Sequence, residues 1–512
     1  MEALRVTEAR VEVDDQPIGT ISPRIYGHFA EHLGRCCYGG LWVGPGAAIP
    51  ESDGFRVDVL TALRELPVPL IRWPGGCHAD RYHWRDGIGA PAERPVTLGM
   101  SCGLHSPDTN ALGTHEFMRL CELLGAEPYL AGNVGTGSVQ ELCDWIEYVN
   151  GQLETKLTAE RAANGRGDPW AVRLWGIGNE SWGCGGRYDP VSYAHEYRRY
   201  ATMARQIDPQ AELVAVGLED DGLPGSGMDP EWNVKFLAAL GPDVDLVDHL
   251  SIHRYWVRGG PEVAFDEGGY YALLDEAAGT ESLIERTAQS LSAAAKPGHP
   301  ISIALDEWGV WHPEARDWGP GEVPRRSPLT FEQANTLRDA LAAGIALEGF
   351  HRQCRNLSMA NLAQIVNVLQ SVVVTNGTAC VRTPTYHALA LHRAHIGAQA
   401  LRVHIETDGT ADDRRPSLSA TASTRGEGIA ITMINRDYER TVVANIKATG
   451  SVASSRVLSA TSANAVNTPA EPDKVALRSL TVASTSPGWY SATLPPHSMA
   501  TIEFASSEAG DN

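Results

Sequence analysis

Cysteine is scarce in this sequence, and what there is shows no metal or redox spacing. Nine cysteines in 512 residues, odd in number and including the adjacent Cys36 and Cys37, predict scattered reduced thiols rather than a disulfide framework. Neither CxxC nor HExxH occurs, so no metal is expected. His249 and His253, with Asp248, fit the face of a strand as well as they fit a ligand set. The glycines of Trp73-Pro-Gly-Gly and Gly178-Asn-Glu form neither GxGxxG nor a P-loop, and no nucleotide cofactor is expected.

Positive charge is also in deficit. With 42 basic against 63 acidic residues the formal charge is -21, which opposes binding to nucleic acid or to an anionic membrane surface and leaves a neutral ligand unaffected. Much of that surplus serves solubility alone. No apolar run is long enough to span a bilayer, and Met1-Glu-Ala-Leu-Arg-Val-Thr-Glu lacks the basic start and apolar core of a signal peptide. A cytoplasmic location is therefore expected. Asn-x-Ser/Thr occurs at Asn179, Asn356 and Asn376, and a glycan on the first would crowd the neighbouring Glu180, which agrees with that compartment.

What is present is ordinary globular composition, 43 % hydrophobic and 21 % charged, in a chain too long for one core. From about residue 20 to 395 a short apolar run, a loop and an amphipathic stretch of helical period recur, the pattern of βα units around a parallel sheet. Candidate strands are Ile21–Phe29, Val68–Trp73, Pro128–Asn133, Val172–Gly178, Leu213–Gly217, Leu246–His253, Ile301–Asp306 and Leu357–Ile365. Eight is the count that closes a barrel. Helices are clearest at Thr114–Leu124, Ser192–Gln206 and Phe331–Phe350.

Beyond about residue 405, Ser, Thr, Ala and Val alternate in short runs between turns, as in a β-sandwich. The alternating Val6–Val13 stretch is expected to join it. The expected architecture is α/β: a strand in residues 1–19, a (β/α)8 TIM barrel over 20–395, and an antiparallel, jelly-roll-like β-sandwich over 396–512. Thr407–Arg415 and Thr468–Lys474 read as surface loops.

Enzymes of the barrel class place their chemistry at the C-terminal ends of the strands. Those ends offer Glu31 and His32; Trp73, Cys77 and His78; Asn133; Asn179 and Glu180; His253 and Tyr255; Glu307 and Trp308; Asn361 and Gln364. Glu180 and Glu307 stand out, each closing an apolar strand beside tryptophan, on the fourth and seventh candidate strands. Glycosidic cleavage needs one protonated carboxyl for the leaving oxygen and one ionised carboxylate for the oxocarbenium-like centre. An apolar wall from Trp175, Trp182 and Trp308 would favour the protonated form of one of them. Trp73, Trp182, Trp256 and Trp308 lie where indoles could stack on sugar rings.

These residues resemble glycoside hydrolase family 51, whose described members are chiefly α-L-arabinofuranosidases. The likeness is carried by Ile25-Tyr-Gly-His-Phe-Ala-Glu-His-Leu-Gly, Arg72-Trp-Pro-Gly-Gly, Tyr82-His-Trp-Arg-Asp-Gly-Ile-Gly, Gly178-Asn-Glu, His253-Arg-Tyr, Asp306-Glu-Trp-Gly-Val-Trp and Ala363-Gln-Ile-Val-Asn. The resemblance implies Glu180 as acid/base and Glu307 as nucleophile of a retaining exo-acting arabinofuranosidase on arabinoxylan- or arabinan-derived oligosaccharides. It further implies Glu31, Asn179, Tyr255 and Gln364 around the terminal furanose, His253 near the carboxylates, and a homo-oligomer; no cofactor is expected. Trp308 is expected to bind substrate as well. Cys77 stands where the best-known members carry asparagine, and is expected as a reduced thiol facing the sugar. That departure keeps galactofuranose, or a xylo- or gluco-configured glycan, as alternative substrates, and an inactive carbohydrate-binding barrel as the non-enzyme alternative.

Overall fold

The computed structural model describes residues 6–219, 228–321, 323, 325–407 and 416–505. Eight parallel strands close a barrel in chain order: Gly27–Phe29, Leu70–Trp73, Glu127–Gly132, Leu174–Ile177, Glu212–Val216, His249–Trp256, Ser302–Val310 and Leu357–Ala363. The eighth pairs with the first at Asn361 and Gly27, which completes the ring. Leu70, Tyr129, Leu174, Val214, Ala304 and Met359 form a separate buried cluster of strand residues, the packed interior such a barrel requires. All eight expected strands are present. Their edges differ: the middle of the expected first strand, from Pro23 to Tyr26, is a 3-10 turn, and the sixth and seventh run on to Trp256 and Val310.

One irregularity shapes the site. Ile252 pairs with Leu305 but His253 pairs with Glu307, so Asp306 is an extra residue in the seventh strand. Such a bulge resets the alternation of faces. Asp306 then meets Tyr129 and Asn361 inside the barrel while the next residue, Glu307, reaches the pocket.

Several helices begin where a side chain caps them. Asp189 accepts from the amides of Val191 and Ser192 ahead of Pro190–Ile207, and Pro190 occupies the first turn, where a missing N–H costs nothing. Thr114–Leu124 has the expected bounds and ends on Gly125 at φ 68°, a left-handed cap. The helix expected from Phe331 begins instead at Leu337, because Thr336 and Asp339 close a reciprocal capping box there. Phe331 belongs to the preceding loop and lines the pocket described below.

Ten strands form the second sheet, mostly antiparallel, around a core that includes Ala9, Val11, Ile431, Met433, Ile446, Leu494, Ile502 and Phe504. The N-terminal strand, Val6–Thr20, lies within it, antiparallel to Gln399–Thr407 and parallel to Thr441–Lys447. Its alternating exposure is what placed it there from sequence. His351 and His395 of the barrel side hydrogen-bond Thr421, Ser423 and Thr432 of the sheet, so these polar groups of the junction are buried and paired. The loop expected at Thr407–Arg415 lies, beyond Thr407, outside the described residues; Thr468–Lys474 is an irregular, mostly exposed segment.

Candidate active site

Glu307 sits within the seventh strand, 6 % exposed, with a donor on each oxygen. Arg72, which follows Leu70 by two residues and so shares its face, donates from Nη1 to Oε1 at 2.9 Å, and the Tyr255 hydroxyl donates to Oε2 at 2.7 Å. Burial alone would raise the Glu307 pKa, but the charges of His253 and Arg72 and these hydrogen bonds hold it below the ordinary glutamate value. His253 responds oppositely. Burial disfavours its cation, yet Glu307 and Glu180 outweigh burial and raise its pKa. Gly76 makes room for the carboxylate, since a Cβ there would lie 2.7 Å from Glu307 Oε1.

Glu180 comes from the loop after the short fourth strand and has φ 39°, a conformation a non-glycine residue holds only when its surroundings impose it. Its Oε1 lies 2.9 Å from His253 Nδ1, which is itself 3.6 Å from Glu307 Oε2. Oxygens of the two carboxylates and this ring nitrogen all lie within 4.8 Å of one another. Asn179, the preceding residue, accepts from Arg72 Nη2 at 2.7 Å, so one guanidinium spans both sides of the pair. Asp80 accepts the backbone N–H of Asn179, and burial pushes its carboxyl up to about 7 against the amide bonds that lower it.

Glu31 completes the floor of the pocket. It accepts from Gln364 Nε2 at 2.9 Å and from the Ser101 hydroxyl at 2.7 Å. Burial, and then the charge of Glu307, push its pKa to about 7. The cavity has a volume of about 340 Å³, within the range of small-ligand sites, and Trp182, Trp311, Trp318 and Phe331 contribute its aromatic lining. Of the residues expected at the site, Glu31, Cys77, Asn179, Glu180, His253, Tyr255, Glu307 and Gln364 all line it.

Three expectations are overturned. Cys77 is not a thiol: it is disulfide-bonded to Cys184, with a Cα–Cα distance of 5.6 Å across 107 residues of chain. The two sulfurs lie 3.9 and 3.6 Å from Glu180 Oε2, and closure of the barrel, which no local spacing reveals, brings them together. Trp308 does not reach the pocket. After the bulge it points outward, 1 % exposed, and packs on Trp256 and Phe350. Trp73, Trp175 and Trp256 are likewise buried core residues, Trp73 stacking on Phe117, so of the four indoles proposed for stacking only Trp182 lines the cavity.

His32, Asn133 and Asn361, also at strand ends, serve neighbouring structure. Asn133 binds the backbone of Thr136 and Gly137, and Asn361 donates to Asp306. His32, His78 and Asp108 gather as a metal site might, but Trp73 Nε1 donates to His32 Nε2, which leaves the ring proton on Nδ1 facing Asp108. A protonated Nδ1 has no lone pair for a metal. Sequence reasoning gives no role to Arg72 and Trp311, which lie within the family motifs, and does not reach Asp80, Cys184 or Trp318. The two-residue spacing from Leu70 was the signal available for Arg72.

Comparison with known proteins shows the family. Family models described as "Alpha-L-arabinofuranosidase 1 domain" and "Alpha-L-arabinofuranosidase C-terminal domain" match residues 62–257 and 306–498. An intracellular exo-alpha-L-arabinofuranosidase of Bacteroides ovatus is 38 % identical over 503 residues, 96 % of this chain and 94 % of that protein. Among solved structures, the GH51 arabinofuranosidase of Xanthomonas axonopodis pv. citri superposes with a TM-score of 0.88 at 34 % identity, covering 98 % of this chain and 100 % of the other. An arabinose complex of the Thermotoga maritima α-L-arabinofuranosidase gives 0.83 at 30 %, covering 97 % and 99 %. Fold, paired carboxylates and relatives together define a glycoside hydrolase. The chain belongs to glycoside hydrolase family 51, the α-L-arabinofuranosidases.

Proposed function

We propose that this enzyme removes terminal arabinofuranose from arabinoxylan- or arabinan-derived oligosaccharides by double displacement, with Glu307 as nucleophile and Glu180 as acid/base. The observation that carries the reading is that an oxygen of each carboxylate comes within 4.8 Å of the other, around one shared histidine. Retaining pairs stand about 5 to 5.5 Å apart, whereas inverting pairs leave about 6.5 to 9.5 Å for a water.

Glu307, ionised and held by Arg72 and Tyr255, attacks the anomeric carbon. The glycosidic C–O bond breaks, its electron pair goes to the leaving oxygen, and Glu180 supplies the proton. Glu180 then takes a proton from water, whose oxygen displaces Glu307 and frees the sugar with its configuration retained. His253 passes its influence to both carboxylates. Asn179, Glu31 and Gln364 hold the furanose, Asn179 at the 2-hydroxyl, where a hydrogen bond strengthens as charge develops. The disulfide of Cys77 gives the sugar an apolar sulfur surface in place of an amide.

The Bacteroides ovatus relative is named exo-acting and intracellular, which supports exo action and a cytoplasmic location for this chain as well. We extend the domain bounds expected from sequence, 20–395 and 396–512, to the folded protein, and the family's homo-oligomer with them; sedimentation tests the latter. The chemical test is capture of the intermediate. With Glu180→Ala and an activated aryl arabinofuranoside, Glu307 is expected to gain the mass of one anhydropentose, located by peptide mass spectrometry. Label on another residue, or inversion of the released sugar by NMR, would reject the mechanism. A panel of aryl arabinofuranoside, galactofuranoside, xyloside and glucoside tests the sugar, the first being expected to react fastest.

A further inference from the structure

Resting on Glu180 as the acid, we infer that Asp80 is the positioning residue of the acid/base loop, the group that fixes where Asn179 and Glu180 leave the barrel. Asp80 is 1 % exposed, in a 3-10 turn, Ala79–Arg81, on the loop after the second strand. Its Oδ1 accepts the backbone N–H of Val134 at 2.9 Å and of Gly135 at 3.0 Å, both on the loop after the third strand. Its Oδ2 accepts the N–H of Asn179 at 2.9 Å, on the loop after the fourth. One carboxylate therefore clips three consecutive βα loops together, and its last bond falls on the residue immediately before Glu180.

The chemistry requires a carboxylate. Three amide donors converge on two oxygens, and an ionised carboxylate alone offers acceptors on both sides without presenting a proton of its own. The site is built closely around it. A Cβ on Gly185 would come within 2.4 Å of Asp80 Oδ2 and 2.2 Å of the Asn179 carbonyl oxygen, so the turn beyond Glu180 folds directly onto this joint. Gly183 and Gly185 both donate their N–H to the Glu180 carbonyl. Glu180 at φ 39° needs surroundings that impose that conformation, and the Asn179 amide bond is the nearest one upstream. Asp80 itself accepts from backbone amides and not from Arg72 or Tyr255; the joint meets the nucleophile's side through the Asn179 side chain, which accepts from Arg72 Nη2 at 2.7 Å.

In Asp80→Asn the amide oxygen can keep Val134 and Gly135, but the NH2 then faces the Asn179 N–H, donor against donor. The acid/base loop moves, whereas Glu307 keeps its place in the strand and its bond from Tyr255, so the acid side suffers more. The expected signature is therefore a split by leaving group rather than a uniform loss. At a pH above 7, where Asp80 is ionised, kcat/KM on a sugar or alkyl arabinofuranoside should fall by roughly 100-fold, the scale of an ångström of misplacement. On a dinitrophenyl arabinofuranoside, which needs little protonation, the fall should stay under about 10-fold. Gly185→Ala presses the same joint from the other side and should give the same split, which keeps the test open if Asp80→Asn does not fold.

Glu180→Gln, measured in parallel, separates the two readings. If it splits the substrates while the folded Asp80→Asn and Gly185→Ala variants lose equally on both, or lose nothing, Asp80 is not the positioning residue and the acid assignment stands. If Glu180→Gln shows no split, the acid assignment falls and the inference with it.

Discussion

The two carboxylates are held in opposite ways. Glu307 lies inside a nine-residue strand and is bound by side chains, Arg72 and Tyr255, which bring charge and hydrogen bonds to its oxygens. Glu180 lies past a four-residue strand, in a loop fixed through its backbone by Asp80 and through its sulfur neighbours by the Cys77–Cys184 bridge. In the roles proposed for them, the first group has to stay ionised in one place. The second has to exchange a proton, and its side chain is freer, 21 % exposed against 8 %. A nucleophile is served by fixed charge, an acid/base by a fixed hinge and a looser tip.

The largest break in that contrast is Glu307→Ala, expected to lower kcat on every substrate by on the order of 10⁶-fold, the scale seen when a nucleophile is lost. A rate on activated substrates within about 100-fold of the parent would place the nucleophile elsewhere. Glu180→Ala should cost about 10² to 10⁴ on oligosaccharides and far less on the glycosylation step with a dinitrophenyl leaving group; pre-steady-state bursts with the two substrates read this directly.

Tyr255→Phe deletes a hydrogen bond to charged Glu307, worth about 1.5 to 3 kcal/mol, and should slow all substrates alike by roughly 10- to 100-fold. A leaving-group dependence in this variant would mean that Tyr255 acts on Glu180 instead. Cys184→Ser opens a bridge spanning 107 residues and should cost about 2 to 4 kcal/mol of stability, seen in denaturant titration. Its kinetic loss should follow the acid limb, falling mainly on poor leaving groups.

The smallest effect is on pH. The Glu31 pKa is raised from 4.5 to about 7, so its contribution to stability is fully present below 4.5 and is lost as pH rises through 7. The lowered pKa of Glu307 works the other way: its contribution is present above 4.5 and is lost as pH falls through its folded value. The thermal midpoint should therefore be highest between these limits. Glu31→Gln, which stays neutral, should flatten the decline toward pH 7, with a change of roughly 1 to 3 °C. An identical profile in that variant would show that Glu31 does not titrate with folding.

Much of the fold was legible because it is local. The alternation of Val6–Thr20, the recurring apolar runs of the barrel and the caps at Asp189 and Gly125 are each written within a few neighbouring residues. The two glutamates proposed for catalysis were legible for a related reason, since each follows a short apolar run that is visible in the sequence. Trp308 misled because adjacency to Glu307 says nothing of facing, and one bulge residue at Asp306 reset which side chains turn inward. Cys77 misled because its partner lies in another βα loop.

By itself the sequence determined the barrel with its second sheet, the placing of Glu180 and Glu307 after apolar strand residues, and the family to which the chain belongs. Only the tertiary structure decided how those acids are held. Arg72 reaches Glu307 across 235 residues, Cys77 reaches Cys184 across 107, and Asp80 reaches Asn179 across 99. Short-range periodicity encodes each strand and helix, whereas closing eight strands into a ring sets which loops become neighbours. A pairing made by that closure leaves no mark on the residues beside it in the chain.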